Sequence, residues 1–285
     1  MKSLKLYTLL FLMSAGFVCL SQTSNENYVT THTARIETTG SISSNTDHTQ
    51  VTRSTQYFDG LGRPMQTVVR KGSPDGKDLV TPIEYDAFGR QSKSYLPYSN
   101  TPTTPGNYHG SWSSEIDNFY SAVGGEVADE TDYFYSEQIY EPSPLNRVDK
   151  EFGPGTNWRT NNKPVDYTYR TNTTGDAIPM FDVNLSTYQI DYVDDSNYAA
   201  GELWVVQTAD ENGNRTLEFK DKLGQVVCKK AEYSTGNYTT TLYIYDDYGN
   251  LTFVVPPEAA SQASSAWETN LNNTSFRAKW MFRYK

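Results

Sequence analysis

Cysteine is almost absent from this chain, which has only Cys19 and Cys228 in 285 residues. Cys19 lies in an N-terminal apolar segment that has the form of an export signal, so removal of that segment leaves Cys228 alone. One cysteine cannot form an internal disulfide, and stability must then come from packing. Cys228 stands in the strand-like stretch Val226–Lys230, where we expect a small buried hydrophobic side chain and no nucleophile.

Basic residues are also few. The chain has 24 Lys and Arg against 34 Asp and Glu, which gives a formal charge of −10. Nucleic-acid binding needs clustered cations against phosphate, and attachment to an anionic membrane surface needs the same. The composition therefore argues against both kinds of partner.

The residues that usually carry catalysis or bind metal are sparse and scattered. His32, His48 and His109 are the three histidines, and they lie in polar, turn-rich surroundings without metal-ligand spacing. No nucleophile elbow, zinc-protease helix or phosphate-binding loop can be found in the sequence. We expect no catalytic residue, no metal site and no cofactor, and we predict that the chain is not an enzyme.

The one long apolar run is at the N-terminus. Lys2 and Lys5 precede an apolar stretch from Leu6 to Leu20, and Cys19 and Ser21 supply small residues before a cut at Gln22. This pattern predicts a signal peptide over residues 1–21, because the run is short for a membrane span. A buried helix and a lipoprotein signal are the alternatives. The mature protein is then secreted or displayed at the cell surface, without a transmembrane segment.

What the chain has in abundance is one repeated string, Asp-x-x-Gly followed by Arg, Asn or Gln. An aspartate at the start of a type I turn can accept hydrogen bonds from the N–H groups just ahead, and glycine three residues later supplies a positive φ. Each copy therefore predicts the turn of a β-hairpin. The five copies are Asp59/Gly62/Arg63, Asp86/Gly89/Arg90, Asp210/Gly213/Asn214, Asp221/Gly224/Gln225 and Asp246/Gly249/Asn250.

The flanking residues predict a mainly β protein of antiparallel hairpins with one or two short helices. Strand-like runs alternate with turns from Leu203 to Pro257, which indicates an up-and-down meander. Helical spacing predicts one helix near residues 113–123 and a second near 258–270. Residues 277–285 alternate like a strand, and we expect that strand to be unpaired, with Trp280, Phe282 and Tyr284 on one face.

Tyr-Asp-x-x-Gly-Arg resembles the signature of Rhs/YD-repeat proteins, whose repeats build a β-shell. The stretch from Thr55 to Thr67 resembles the domain that precedes the repeats in secreted bacterial members, and the likeness covers residues 28–285. Three of the five copies depart from the signature by replacing Arg with Asn or Gln. After the signal peptide, the resemblance implies an N-terminal β domain at 22–140 and an Rhs-like hairpin region at 141–285, cut short at its C-terminal end.

By this resemblance the chain is a non-enzymatic structural segment of an exported protein. It would form the opening section of a β-shell that encloses or displays a C-terminal effector, which is absent from this chain. Its partners would be the remaining repeats and that effector. One alternative is a module that binds carbohydrate or another cell-surface molecule through exposed aromatics, with Tyr135 and Trp158 as candidates. A hydrolase with an unrecognised site is a third possibility.

Overall fold

A computed structural model describes residues 26–37, 42, 47–102, 104–123 and 133–284, without the side chains of residues 194 and 195. The predicted signal peptide at 1–21 lies outside these residues. The protein is mainly antiparallel β, with 43% strand and 16% helix, which confirms the predicted fold class. The chain divides into two compact units, Met1–Tyr135 and Ser136–Lys285.

Unit 1 contains a five-stranded antiparallel sheet with one helix. Its helix α1 (Trp112–Val123) confirms the prediction at 113–123, and Ile116 of α1 is buried in the core with Tyr57, Val68, Val80 and Tyr98. The strands are β1 (Asn27–Ala34), β2 (Val51–Phe58), β3 (Pro64–Val69), β4 (Asp78–Pro82) and β6 (Tyr98–Asn100), in that order across the sheet; β5 (Lys93–Tyr95) precedes β6 in the chain.

Unit 2 is built on a longer antiparallel sheet. Its strands from Trp204 to Val255 pair strictly in sequence, which confirms the predicted meander. The strands are β7 (Tyr135–Tyr140), β8 (Val148–Phe152), β9 (Val165–Thr171), β12 (Trp204–Ala209), β13 (Arg215–Lys220), β14 (Val226–Ser234), β15 (Asn237–Tyr245), β16 (Leu251–Val255) and β17 (Phe282–Arg283), and they are neighbours in that order; β10 (Pro179–Asn184) and β11 (Gln189–Asn197) form a separate hairpin.

Short helices cover one side of the unit 2 core, and they are more numerous than predicted. The three helices that follow β16 pack against buried residues of the meander such as Phe219, Leu242 and Phe253. The helices are α2 (Thr156–Thr160), α3 (Pro257–Ala263), α4 (Trp267–Asn272) and α5 (Thr274–Trp280), with a 3₁₀ turn at Thr174–Asp176.

The expectation of a C-terminal strand over residues 277–285 is wrong for most of its length. Residues up to Trp280 belong to α5, and only Phe282–Arg283 form a strand, which pairs with β16. The helix forms because the Asn273 side chain accepts a hydrogen bond from the Phe276 N–H at 3.0 Å, and because Phe276 and Trp280, four residues apart, pack together against the core.

No helix within the described residues is long and apolar enough to span a membrane.

Candidate functional site: the repeated turns

The first copy of the repeated string shows how the turn is built. The Asp59 carbonyl accepts from the Gly62 N–H at 3.0 Å, and the Asp59 N–H donates to the Arg63 carbonyl at 2.9 Å. The Asp59 Oδ1 accepts from the N–H groups of Leu61 and Arg63, both at 2.9 Å. Gly62 has φ 79°, a left-handed conformation that L-residues resist. One carboxylate thus accepts hydrogen bonds from two backbone N–H groups of the turn.

The other four copies repeat the same backbone and carboxylate hydrogen bonds. In each, the aspartate carbonyl accepts from the glycine N–H at 2.8–3.1 Å, and Oδ1 accepts from the third and fifth residues of the string at 2.8–3.0 Å. The glycine φ values lie between 78° and 86°. These copies are the turns of Asp86, Asp210, Asp221 and Asp246, with Gly89, Gly213, Gly224 and Gly249.

In four of the five copies, the side chain of the fifth residue binds the aspartate of its own turn. The Nε atoms of Arg63 and Arg90 donate to Oδ2 of their own aspartates at 2.8 Å. Asn214 and Asn250 make the same contact through Nδ2, at 2.8 and 3.2 Å. Asparagine therefore replaces arginine without loss of the contact, which explains how the string can depart from the Rhs signature.

Neighbouring turns touch each other within each unit. In unit 1 the Arg63 guanidinium lies 4.4 Å from the centre of the Tyr85 ring, and its Nη1 lies 3.2 Å from where a Cβ on Gly89 would stand. In unit 2 the Gln225 Nε2 donates to the Gly249 carbonyl at 3.2 Å. Alternate turns of a meander lie at the same end of the sheet, so the fifth residue of one turn can reach the next.

Hydrogen bonding lowers the pKa of the aspartate carboxyl in four of these turns. The backbone N–H of Arg63, Arg90 or Asn250 lowers the pKa of the carboxyls of Asp59, Asp86 and Asp246 respectively. At Asp210 the Asn214 side chain is the main cause of the lowered pKa. A carboxylate held in this way is an acceptor throughout and is poorly suited to act as a general acid.

A sixth turn of the same form, centred on Ser73-Pro-Asp-Gly76, was not recognised from the sequence. The Ser73 carbonyl accepts from Gly76 N–H at 3.0 Å, and the Ser73 Oγ accepts from Lys77 N–H at 2.9 Å. Serine here replaces aspartate as the acceptor. The Asp-Gly pair at the turn centre is the signal that could have identified it.

A seventh turn, between Glu141 and Arg147, is a longer variant. Asn146 takes the left-handed position at φ 53° in place of glycine. The Arg147 guanidinium donates to both oxygens of Glu141 at 2.8 and 2.7 Å and lies 4.5 Å from the Tyr169 ring centre. These hydrogen bonds lower the pKa of Glu141 to about 2. Glutamate and arginine thus take the place of the aspartate and arginine of the shorter turns.

The two aromatic residues predicted as binding candidates differ in their surroundings. Tyr135, in unit 1, has ring contacts with Tyr95 at 5.0 Å and with the Lys93 ammonium at 4.8 Å. Trp158, in unit 2, lies in α2 with its indole against Gly153, and 41% of its surface is exposed. Tyr135 is the last residue of unit 1 and Trp158 belongs to unit 2, so the two candidates lie in different units.

His109 is buried, although its neighbours in the sequence are polar and typical of a surface turn. It lies beside α1, and its Nδ1 lies 2.7 Å from Glu115, which also accepts from the Tyr98 hydroxyl at 2.7 Å. Cys228 is buried, as expected from its sequence context, and burial raises the pKa of its thiol to about 12. Within the described residues no cluster of histidine, cysteine or carboxylate side chains could hold a metal ion.

Residues 30–171 match the family model DUF6443, which is described as a domain of unknown function. The match covers just under half of the chain. Comparison with curated proteins finds no match.

Three solved structures of toxin complexes show a remote likeness. A crystal structure of TcdB2-TccC3-Cdc42 aligns at 15% identity over 76% of this chain and 9% of the other, with a TM-score of 0.43. TcdB2-TccC3 aligns at 16% identity over 76% and 10%, also with a TM-score of 0.43. A Tc holotoxin pore from Photorhabdus luminescens aligns at 14% identity over 76% and 9%, with a TM-score of 0.42. The chain thus spans about a tenth of each of these structures, and likeness at this level establishes no shared function.

Proposed function

We propose that this chain is a non-enzymatic structural segment of an exported Rhs-type protein, in which turn-to-turn contacts join serial hairpins. Its partners are the further repeats of a longer protein and the effector that those repeats enclose or display. The observation that carries the proposal is the repeated turn itself. The same set of hydrogen bonds recurs in five places, and in each unit the fifth residue of one turn reaches the next turn.

The polar side chains that could perform chemistry support this proposal because they have structural partners or are buried. The repeated aspartates accept from turn N–H groups, His109 pairs with Glu115, and Cys228 is buried in the core. A nucleophile, a base and an orienting group need mutual contact in an accessible cleft. None of these residues meets that requirement.

A double-mutant cycle between Arg63 and Tyr85 tests the turn-to-turn contact. We expect Arg63→Ala and Tyr85→Ala to show a coupling energy of about 0.5–1 kcal/mol in urea unfolding, the scale of an exposed cation–π contact. Arg35→Ala with Tyr85→Ala is the control, because Arg35 follows β1 at the other end of the same sheet. Strict additivity for Arg63 and Tyr85 would contradict a structural role for this contact.

The non-enzymatic part of the proposal has a separate test. The full chain should show no turnover of glycan, ester or peptide substrates. A turnover that disappears in a single-residue variant with unchanged stability would replace the structural role with a hydrolase. Export is tested by mass spectrometry of the protein from its native host, which should begin near Gln22; a folded cytoplasmic form that retains Met1 would contradict it.

The binding alternative has its best support in a groove of unit 2, away from Tyr135 and Trp158. A cavity of about 470 Å³ lies between β15 and α3. Aromatic rings, hydroxyl groups and one charge of each sign line it, which is a chemistry suited to a carbohydrate. They include Tyr233, Tyr238, Thr240, Ser261, Trp267, Lys230 and Glu258. Glycan-array binding that Trp267→Ala abolishes and Trp158→Ala leaves intact would favour this function.

A further inference from the structure

The tips of the repeated turns carry large apolar side chains that point into solvent. The third residue of the string is Leu61 in the first turn and Phe88 in the second, and they are 80% and 83% exposed. In unit 2 the same position holds Leu223 and Tyr248, both 82% exposed, and the longer turn holds Leu145 at 68%. These five residues are the apolar tips. Nothing in the hydrogen bonding of the turns requires an apolar residue at this position, because only its backbone N–H takes part.

The apolar tips occupy one end of the sheet in each unit. In unit 1, β2 ends and β3 begins at the Leu61 turn, and the Phe88 turn follows β4 at this same end. The turn at the opposite end, between β3 and β4, has Asp75 at its tip. Both Ser73 and Gly76 keep the same hydrogen bonding there, so a polar tip is equally compatible with this kind of turn.

Unit 2 repeats this arrangement independently. Antiparallel pairing from β8 to β16 puts the turns of Leu145, Leu223 and Tyr248 at one end of its sheet. The turn between β12 and β13 lies at the other end and has Asn212 at its tip, and the turn between β14 and β15 is made by Thr235 and Gly236. Apolar and polar tips are therefore sorted by the end of the sheet.

The charges beside the apolar tips cancel in four of the five turns. Arg63 pairs with Asp59 at 2.8 Å, Arg90 pairs with Asp86 at 2.8 Å, and the longer turn has its own ion pair. In the Leu223 turn, Lys222 balances Asp221 in formal charge; the Tyr248 turn alone is acidic, with Asp246 and Asp247. Most apolar tips thus stand on electrically neutral turns, in a chain whose net charge of −10 repels an anionic surface.

We infer that the apolar tips insert into an uncharged, zwitterionic lipid surface. Neighbouring turns such as those of Leu223 and Tyr248 are two strands, about 10 Å, apart, and the Leu145 turn is four strands from the Leu223 turn, so the tips form separated projections. Separated projections of this kind need no matching pocket in a lipid surface, where each side chain can enter between head groups while its polar turn stays at the interface. This inference does not depend on the proposed structural role.

Partition onto vesicles of pure phosphatidylcholine tests the inference with the full chain. Removal of one tip should lower the partition coefficient by about tenfold, the scale of losing the burial of one large apolar side chain, so a variant that lacks two tips should lose about a hundredfold. Leu61→Ser with Phe88→Ser tests unit 1, and Leu223→Ser with Tyr248→Ser tests unit 2. Val29→Ser, which removes an apolar side chain that is 59% exposed outside the tips, should leave the partition coefficient unchanged. Equal partition of all variants would overturn the inference.

A local probe distinguishes lipid insertion by the tips from lipid binding by the apolar N-terminal run, which every variant contains. A polarity-sensitive dye on Leu61→Cys should shift its emission to the blue when vesicles are added, and the same dye on Asp75→Cys at the opposite end of the sheet should not. Background labelling of Cys19 is common to both. Equal shifts, or none, would overturn the inference. Oligomers that dissociate in the Leu61→Ser, Phe88→Ser variant, without any vesicle binding, would show that a second copy of the chain covers the tips instead.

Discussion

At the scale of single residues, the turns depend on a division of work between aspartate and glycine. The aspartate carboxylate holds two backbone N–H groups, and the glycine three residues later adopts the left-handed φ that brings the chain back into the ladder. Glycine has no side-chain acceptor, and aspartate adopts a positive φ less readily than glycine, so the two positions are not interchangeable. The intervening two positions are free to vary, which is why the tips can be apolar at one end of a sheet and polar at the other.

Gly249→Ala should destabilise the protein more than Gly213→Ala. Both glycines have left-handed φ, 81° and 86°, so each substitution has a strain cost of about 1–2 kcal/mol. A Cβ on Gly249 would also lie 2.8 Å from Nε2 of Gln225, whereas nothing lies within 4 Å at Gly213. An alanine at 249 must therefore shift the Gln225 amide, which donates to the Gly249 carbonyl at 3.2 Å. Equal changes in urea midpoint would show that this contact contributes nothing.

The ion pair of Glu141 with Arg147 predicts a stability that depends on pH. The pKa of Glu141 is lowered from 4.5 to about 2 by the hydrogen bonds of Arg147. Because the folded pKa lies below the unfolded one, its contribution is complete above pH 4.5 and is lost as the pH falls toward 2. Glu141→Gln should therefore flatten the fall in unfolding free energy over this window. An unchanged pH profile would contradict the assignment.

At the scale of elements, helix α5 forms where the alternation of apolar residues predicted a strand. Alternation of Trp280, Phe282 and Tyr284 indicated a strand, but the Asn273 cap and the four-residue spacing of Phe276 and Trp280 determine a helix. The strand that remains is two residues long and pairs with β16. Alternation over so few residues is a weak signal beside a satisfied helix start.

Asn273→Ala should weaken this C-terminal packing. The lost cap leaves the Phe276 N–H without its side-chain acceptor, and such losses amount to about 0.5–2 kcal/mol. Thr274→Ala, at an exposed neighbouring position outside the cap, is the matched control. Urea unfolding followed by tryptophan fluorescence measures both. A larger effect at Thr274 than at Asn273 would show that the cap does not hold α5.

At the scale of the whole molecule, each unit supplies its own core. Unit 1 packs α1 on a five-stranded sheet, and unit 2 packs short helices on its meander. Buried polar groups take part as well. In unit 1 the Tyr57 hydroxyl donates to the Gly106 carbonyl at 2.7 Å, and Gln66 exchanges hydrogen bonds with the backbone of His109.

Cys228 should report on the opening of the unit 2 core. It is fully buried, and burial raises its thiol pKa to about 12, so neither access nor ionisation favours reaction in the folded state. At pH 8 a thiol reagent should leave the Cys228 peptide unmodified in native protein and modify it in urea, as read by peptide mass spectrometry. Rapid modification of the native protein would mean that this core opens readily.

Features that depend on short stretches of chain could be predicted from sequence. The turn string sets its own backbone through hydrogen bonds within five residues, so the hairpins and the meander from Leu203 to Pro257 followed from local chemistry. Helix α1 followed from the spacing of Ile116, Phe119 and Tyr120. The Ser73 turn and the Asn146 turn were not predicted, because serine replaces aspartate as the acceptor in the first and asparagine replaces glycine at the left-handed position in the second.

Features that depend on chain segments far apart could not be predicted in this way. The burial of His109 against Glu115 and Tyr98, the contact of Gln225 with Gly249, and the β10–β11 hairpin outside the main sheet arise from how elements pack. The sorting of apolar tips to one end of each sheet has the same origin. The repeated string identifies which residue lies at the tip of each turn. Antiparallel pairing across several strands determines which tips are neighbours, and the packing of the folded core sets that pairing.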